Sequence, residues 1–358
     1  RADLQDAAPG RPAQLPIVQR IPAGHVGRPL GPGEAARIFT GGLIPDGADA
    51  IVMQEMAEVD GDMVAFSHCP APGEWIRRAG EDIRGGSVIL AAGTRLSPQA
   101  TGLAASVGLA TLPVRRRARV ACFFTGDELA MPGEPLRPGA IYNSNRYVLG
   151  ALLQGLGCEL VDLGNVPDSL AATRDALRRA AQRNDLIVTS GGVSVGEEDH
   201  VKPAVEAEGE LRMWQIAIKP GKPLAYGRVR RTGDDPPDAP GPGAGTTHFI
   251  GLPGNPVSSF VTFVLLVRPF VQRLQGMVDV SPRALPMRAD FDWPKPDRRR
   301  EFLRARMNPQ GGLDLFPNQG SAVLTSTVWG DGLIDNPPQH AIAAGDVVRF
   351  LPFSGLLT

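Results

Sequence analysis

Asp127 and Glu128 stand where the apolar run Ala118–Phe124 ends, just after Thr125 and Gly126. Open α/β sheets hold their ligands at the carboxyl ends of strands, and adjacent carboxylates there suit a hard divalent cation that also takes phosphate oxygens and water. A second apolar run, 185–190, ends in Gly191-Gly192-Val193-Ser194-Val195-Gly196 and then Asp199. Glycines at such a turn let backbone N–H groups approach an anion closely. Lys219-Pro220-Gly221-Lys222 adds two cations on a stiff turn, and Gly251-Leu252-Pro253-Gly254-Asn255-Pro256 opens a helix that carries Ser258. Helix N-termini attract anions through unpaired N–H groups and the dipole. Together these residues predict a site for a phosphorylated ligand and a divalent metal, and so an enzyme.

Each feature also has a plainer explanation. Asp127 and Asp199 could cap a turn and a helix. The glycines could serve a tight turn, and the lysines could simply be solvated. It is their alignment at the ends of neighbouring strands that favours chemistry.

The positioning elements follow an α/β alternation. Strand 118–124 leads to a helix whose first serine, Ser144, is expected to cap it. Strand 159–166, a helix from Asp168-Ser169, strand 185–190 and a helix near 201–208 come next. Strands 211–218, 223–229 and 247–252 precede an apolar helix over 257–274. This spacing predicts right-handed βαβ units and a mainly parallel sheet. Residues 231–245 read as a surface loop. Residues 1–78 read as a small β domain, and 79–116 as a helical linker with Ser97-Pro98 opening a helix over 97–110. The α/β domain takes 117–276. Short alternating runs over 277–358 (301–306, 313–316, 346–350) predict a C-terminal β barrel or sandwich.

Composition narrows the classes. The 358 residues hold 37 basic and 38 acidic side chains, so no global field points to nucleic acid or an anionic membrane. Aromatics at 6% leave little for base stacking. Apolar runs such as 260–267 are too short to span a bilayer. Cys69, Cys122 and Cys158, like the five histidines, lack metal-site or disulfide spacing, and a reducing cytoplasm is the expected compartment. The chain opens on Arg1 with no signal-peptide pattern, and we read it as a piece of a longer product.

The ordered motifs RIFTGG (37–42), PDGADA (45–50), GEDI (80–83), TGDEL (125–129), GAIYNSNR (139–146), GGVSVG (191–196), KPGKP (219–223) and GLPGNPVS (251–258) resemble the molybdopterin molybdenumtransferases, the bacterial MoeA and gephyrin E-domain family. RREFLR (299–304) and the Gly320-Ser321 to Ile334 region resemble it too. The resemblance implies four parts: an N-terminal β domain, a mostly helical linker, a molybdopterin-binding α/β domain and a C-terminal β barrel. It implies a homodimer with a site shared between subunits. The implied reaction inserts molybdate into adenylylated molybdopterin and releases AMP with Mg²⁺ present.

On that resemblance Asp82, Glu128 and Asp199 are catalytic, and Asp82, Asp127, Glu128 and Asp199 hold Mg²⁺, with Asp82 contributed from a neighbouring domain or subunit. Thr40, Thr125, Gly126, Asp127, Gly191, Gly192, Ser194, Lys219, Lys222, Pro253, Pro256, Ser258, Arg299 and Ser321 bind substrate. A molybdopterin adenylyltransferase and molybdoenzyme-maturation proteins are the implied partners. This chain departs from the family pattern twice. The family's N-terminal helix and Met-Asp-Gly-Tyr-Ala type motif are missing, and Gln215 stands where many relatives carry lysine. The competing functions are molybdopterin adenylyl transfer and a gephyrin-like scaffold; the flanking domains and KPGKP favour insertion over the first, and the full set of acidic and lysine residues disfavours the second.

Overall fold

The computed structural model describes residues 1–193, 199–231 and 245–357, with Met213 and Trp214 described by backbone alone. The chain divides into two compact units, Arg1–Leu90 and Ala91–Thr358. In the first, β1 (Ala13–Ile21), β2 (Ala35–Ile38), β3 (Ala57–Asp60) and β4 (Met63–Phe66) form one sheet in the order β2-β1-β4-β3. Only β1 and β2 pair in parallel. The strands are short and punctuated by Gly and Pro, as the composition of this stretch predicts.

The second unit opens with α1 (Pro98–Ser106). Ser97 caps it by accepting the Ala100 N–H, and Pro98 takes the first helical position. The helix stops short of the predicted Ala110 because Gly108 turns left-handed, with φ +83°. Then come β5 (Arg119–Thr125), the short parallel pair β6 (Leu129–Ala130) and β7 (Ile141–Tyr142), and α2 (Ser144–Gly155). Asn143, not Ser144, caps α2: its Oδ1 accepts the Arg146 N–H at 3.1 Å. The helix takes Ser144 as its first internal residue, which moves the capping position back by one. Next are β8 (Glu159–Val166), α3 (Leu170–Ala181) capped by Ser169, β9 (Leu186–Ser190) and α4 (Val201–Glu208). The predicted strand 211–218 is broken into β10 (Gly209–Gln215) and β11 (Ile218–Lys219). Between them the Ile216 N–H bonds to the Lys222 carbonyl and turns the chain. Strands β12 (Pro223–Arg230) and β13 (Thr246–Leu252) complete the sheet β10-β12-β13-β9-β5-β8.

Within that sheet β8, β5, β9 and β13 are parallel, while β10 and β12 add an antiparallel edge. Strand β5 is buried on both faces. Val120, Cys122 and Phe124 enter one core, and Ala121 and Phe123 enter the other. That explains its continuous apolar run. Burial also raises the Cys122 thiol above its ordinary range and pushes Cys158 up to about 11. Cys69, Cys122 and Cys158 are free thiols.

The long apolar helix forms in three pieces: α5 (Pro256–Thr262), a π turn over Phe263–Val267, and α6 (Arg268–Leu274). The expectation that the longest apolar runs, such as 260–267, are too short to span a bilayer needs correcting. The whole element, Pro256–Leu274, has 19 residues and is long and apolar enough to cross one, but 67% of it is buried inside the protein. Its apolarity serves the core, where Val257, Phe260 and Val264 join sheet residues to Phe302, Leu333 and Phe353. The chain ends in β14 (Leu285–Ala289), β15 (Arg300–Met307), β16 (Gly312–Leu315), α7 (Thr325–Trp329), β17 (Gly332–Asn336), β18 (Val347–Pro352) and α8 (Phe353–Leu356). The order β15-β16-β14-β18-β17 closes through β15–β17 pairing into a five-stranded barrel, and β11 adds to it by pairing in parallel with β15.

Candidate active site

A cavity of about 820 Å³ lies in the second unit, walled by the ends of β5 and β9, the turn before α5, the β11–β12 turn and the barrel loop 319–322. That volume is typical of a small-molecule site.

One wall is acidic. Past β5 the chain folds at Gly126, whose φ is +146°, and the Glu128 carboxyl lies back over it. A Cβ at Gly126 would come within 2.7 Å of Glu128 Oε2, so a side chain there would push that carboxylate aside. Backbone bonds from Leu129 to Gly126 and from Ile141 to Glu128 fix the turn. Asp127 turns instead toward the loop after β8: its Oδ1 accepts the Asp168 N–H, and Asp168 Oδ2 accepts the Asp127 N–H, each at 3.2 Å. Burial raises the Asp168 carboxyl above its ordinary range. The Asp127 and Glu128 charges push the same way, while the Asp127 N–H and His200 oppose them. Three carboxylates thus gather at two neighbouring strand ends, with no ion pair to any of them among the described residues.

The adjoining wall is backbone. Gly191 and Gly192 both have positive φ and pass against Thr125; a Cβ on Gly191 would meet the Thr125 carbonyl at 2.3 Å. Thr125 Oγ1 is buried and has no hydrogen-bond partner among the described residues, an orphaned polar atom at the edge of the cavity. Asn145 Nδ2 donates to Ser190 Oγ at 2.9 Å and to the Gly254 carbonyl at 2.7 Å. Ser190 Oγ in turn donates to the Pro253 carbonyl at 2.8 Å. This buried network ties α2, β9 and the turn carrying Pro253 and Pro256 into one rigid cradle.

The opposite wall is cationic. Because β11 pairs with β15 in parallel, Lys219 lies in register with Glu301. Lys219 Nζ is 3.3 Å from Glu301 Oε1 and 3.3 Å from Asp297 Oδ2. Arg299 closes on Asp297 through Nε at 3.0 Å and Nη2 at 3.1 Å. The Arg299 side chain and its backbone N–H, with Lys219 beside them, hold the Asp297 carboxyl far below the usual range. Glu301 is fully buried and also accepts the Trp293 indole N–H at 2.9 Å. Behind the loop that carries Ser321, the buried Arg304 donates to the Gly320 carbonyl, and burial lowers its guanidinium to about 10. The Ser321 carbonyl accepts the Val257 N–H and fastens this loop to α5.

Three family models cover most of the chain. The MoeA N-terminal region (domains I and II) matches residues 2–108, the probable molybdopterin binding domain matches 121–273, and the MoeA C-terminal region (domain IV) matches 286–353. A molybdopterin molybdenumtransferase of Haemophilus influenzae is 39% identical over 90% of this chain and 78% of its own length. Molybdopterin molybdenumtransferase 2 of Mycobacterium tuberculosis is 37% identical over 96% of this chain and 83% of its own length. The chain belongs to the molybdopterin molybdenumtransferase family. It thereby joins a transferase family of molybdenum cofactor biosynthesis. Crystal structures of the molybdopterin biosynthesis MoeA protein from Pyrococcus horikoshii superimpose with TM-scores of 0.74 and 0.80 at 29% and 26% identity, each over 98% of this chain and 84% of the other.

Of the residues expected to form a molybdenumtransferase site, the cavity is lined by Thr125, Glu128, Gly191, Lys219, Lys222, Pro253, Pro256, Ser258, Arg299 and Ser321. Gly126, Asp127 and Gly192 lie directly behind that lining. Asp199 is half-buried just before α4, outside the lining, and Ser194 lies outside the described residues. Thr40 and Asp82 are exposed in the first unit. Sequence reasoning passed over Asp168, Asn145, Asp297, Glu301 and Arg304. Asp168 looked like a helix opener, and Asn145 and Glu301 were quoted only as letters of longer motifs. A signal existed for Asp297: it stands alone among Lys295, Arg298, Arg299 and Arg300, and a lone acid among cations is placed to hold them.

Proposed function

We propose that this chain catalyses insertion of molybdate into adenylylated molybdopterin, with cleavage of the phosphoanhydride and release of AMP. The observation that carries the reading is the polarity of one cavity: paired cations, Lys219 and Arg299, and the exposed Lys222 share its lining with the Glu128 carboxylate and with a hydroxyl that has no hydrogen-bond partner among the described residues. Molybdate is a tetrahedral dianion, and Lys219, Lys222, Arg299 and the hydroxyls of Ser258 and Ser321 are donors of the right kind for it. The glycine turn and Thr125 Oγ1 suit a phosphate-bearing ligand. The rigid Asn145 network favours positioning, which such a transfer requires.

Mg²⁺ belongs to the same reading. Among the described residues no three acidic, histidine or cysteine side chains make a ready coordination shell. Mg²⁺ is ordinarily bound by one or two carboxylates together with substrate phosphates and water. The donor set fits that mode: Glu128 on the cavity wall, Asp127 and Asp168 at the ends of β5 and β8, and Asp199 just before α4. When bound, the ion offsets charge that builds on the phosphate oxygens. Glu128 would orient its hydration shell, and Lys219 and Arg299 would hold the oxyanion. We propose further that the chain keeps the family's four-part layout, with boundaries near residues 78, 116 and 276. It would act in the cytoplasm as a homodimer in which Thr40 and Asp82 serve the site of a partner subunit. Contacts with an adenylyltransferase and with molybdoenzyme-maturation proteins complete the proposal.

The test is a single-turnover assay of molybdate-dependent AMP release from adenylylated molybdopterin. Release that disappears in Glu128→Gln and in Lys219→Met supports the insertion reaction. A folded protein that retains AMP binding yet releases none would transfer the weight to a scaffold role.

A further inference from the structure

The cationic wall sets two carboxylates against three cations. Lys219 and Arg299 are matched by Asp297 and Glu301, and the surplus cation is Lys222, which is exposed and has no acidic partner within ion-pair distance among the described residues. The two carboxylates differ in kind. Glu301 keeps 1% of its side-chain surface and is held by Lys219, by the Trp293 indole and by the Asp297 N–H at 3.1 Å. Asp297 keeps 19%, and among the described residues its carboxylate meets only Lys219 and the Arg299 side chain and N–H. It occupies the Nε–Nη2 edge of the guanidinium, the edge that grips carboxylates and tetrahedral oxyanions alike.

We propose that Asp297 is a specificity-determining residue, a resident counter-ion that occupies the donors of Lys219 and Arg299 until a dianion exchanges with it. This rests on reading the wall as the oxyanion site. Glu301 is the permanent anchor that keeps Lys219 in place, and Asp297 is the exchangeable one. An ion with a single charge and weak acceptor oxygens cannot repay the loss of a fork-to-fork carboxylate contact, whereas a tetrahedral dianion can. Selectivity then comes from a built-in competitor as well as from new attraction.

The experiment measures molybdate binding by calorimetry to the intact chain and to Asp297→Asn, with nitrate as competitor. The amide keeps the size and one acceptor oxygen but loses the charge. Molybdate affinity should rise about threefold to tenfold, the range expected of a partly exposed ion pair and its rim charge. Nitrate should compete at a lower concentration in the variant than in the parent. A purely structural role for Asp297 would instead weaken binding. Unchanged or weaker molybdate binding, with nitrate competing as before, overturns the proposal. Should Asp297→Asn fail to fold, Asp297→Ser gives the same comparison. Lys219→Met separates the two layers. If it binds molybdate as the parent does, the oxyanion reading itself falls. If it loses binding while Asp297→Asn gains none, only the counter-ion role falls.

Discussion

The two walls of the cavity use the same residue types to opposite electrostatic ends. On the acidic wall Asp127, Glu128 and Asp168 gather at strand ends, and burial and mutual repulsion raise Asp168. On the cationic wall Asp297 lies against Arg299 and Lys219 and is driven down. The first wall gathers carboxylates, while on the second Lys219 and Arg299 are already paired and only Lys222 is left over. Their scaffolds differ as well. Backbone in strained φ and a buried amide network shape the acidic side. A two-residue strand docked on the barrel supplies the cationic side. On the proposed reaction, such an asymmetry gives an open acceptor set for a metal-bound phosphate and a discriminating donor set for an oxyanion.

The sharpest way to break this contrast is to remove one charge from each wall. Lys219→Met should lower molybdate-dependent AMP release by about 100-fold or more, the scale of losing one oxyanion donor, and should weaken molybdate binding measured alone. Glu128→Gln should lower turnover by a comparable factor of about 100 while molybdate binding stays at the parent value. Single-turnover assays beside calorimetry read both quantities. If the two variants show the same pattern, the walls are not specialised.

Two smaller changes probe the scaffolds. Gly126→Ala should cost about 1–3 kcal/mol from the left-handed backbone. It should also displace Glu128, so turnover falls while the cationic wall keeps its affinity for molybdate. Asn145→Ala strips the donor from Ser190 and from the Gly254 carbonyl, and one unsatisfied buried group costs about 1–3 kcal/mol. Urea unfolding gives the stability loss. A kcat that falls with KM for the adenylylated substrate unchanged marks Asn145 as a positioning residue. Full turnover in Asn145→Ala would show that the cradle holds without it.

Much of this was legible in the sequence for a physical reason. The alternation of buried runs and capped helices is written locally, so β8 and α4 fall where periodicity puts them. The ends of β5 and β9 lie side by side because parallel strands in such units are neighbours. What stayed hidden was pairing across long separations. Nothing near Lys219 announces Glu301 or Asp297, since the barrel brings them together through the break between β10 and β11, which itself read as one strand. Asn145 was hidden differently: an asparagine in the first turn of a helix reads as a local feature, and its partners on β9 and before α5 appear only once the sheet is folded.

The mildest test is a titration, and it asks directly whether the walls differ. Carbon-13 NMR of the aspartate carboxyls in chelated buffer should put the Asp297 midpoint below the ordinary value of about 3.9 and the Asp168 midpoint above it. The signs then follow from linkage. A depressed folded value means that Asp297 contributes stability above its unfolded pKa and loses it as pH falls through the folded one, so Asp297→Asn should flatten the acid limb of the stability curve. A raised folded value means that the Asp168 contribution is fully present below its unfolded pKa and is lost as pH rises through the folded one. In metal-free buffer near neutrality, Asp168→Asn should therefore unfold no more easily than the parent, with the parent gaining on it only as the pH is lowered. Two carboxyls titrating together at the ordinary value would mean that the walls carry equivalent charge, and the division of labour between them would fail at its root.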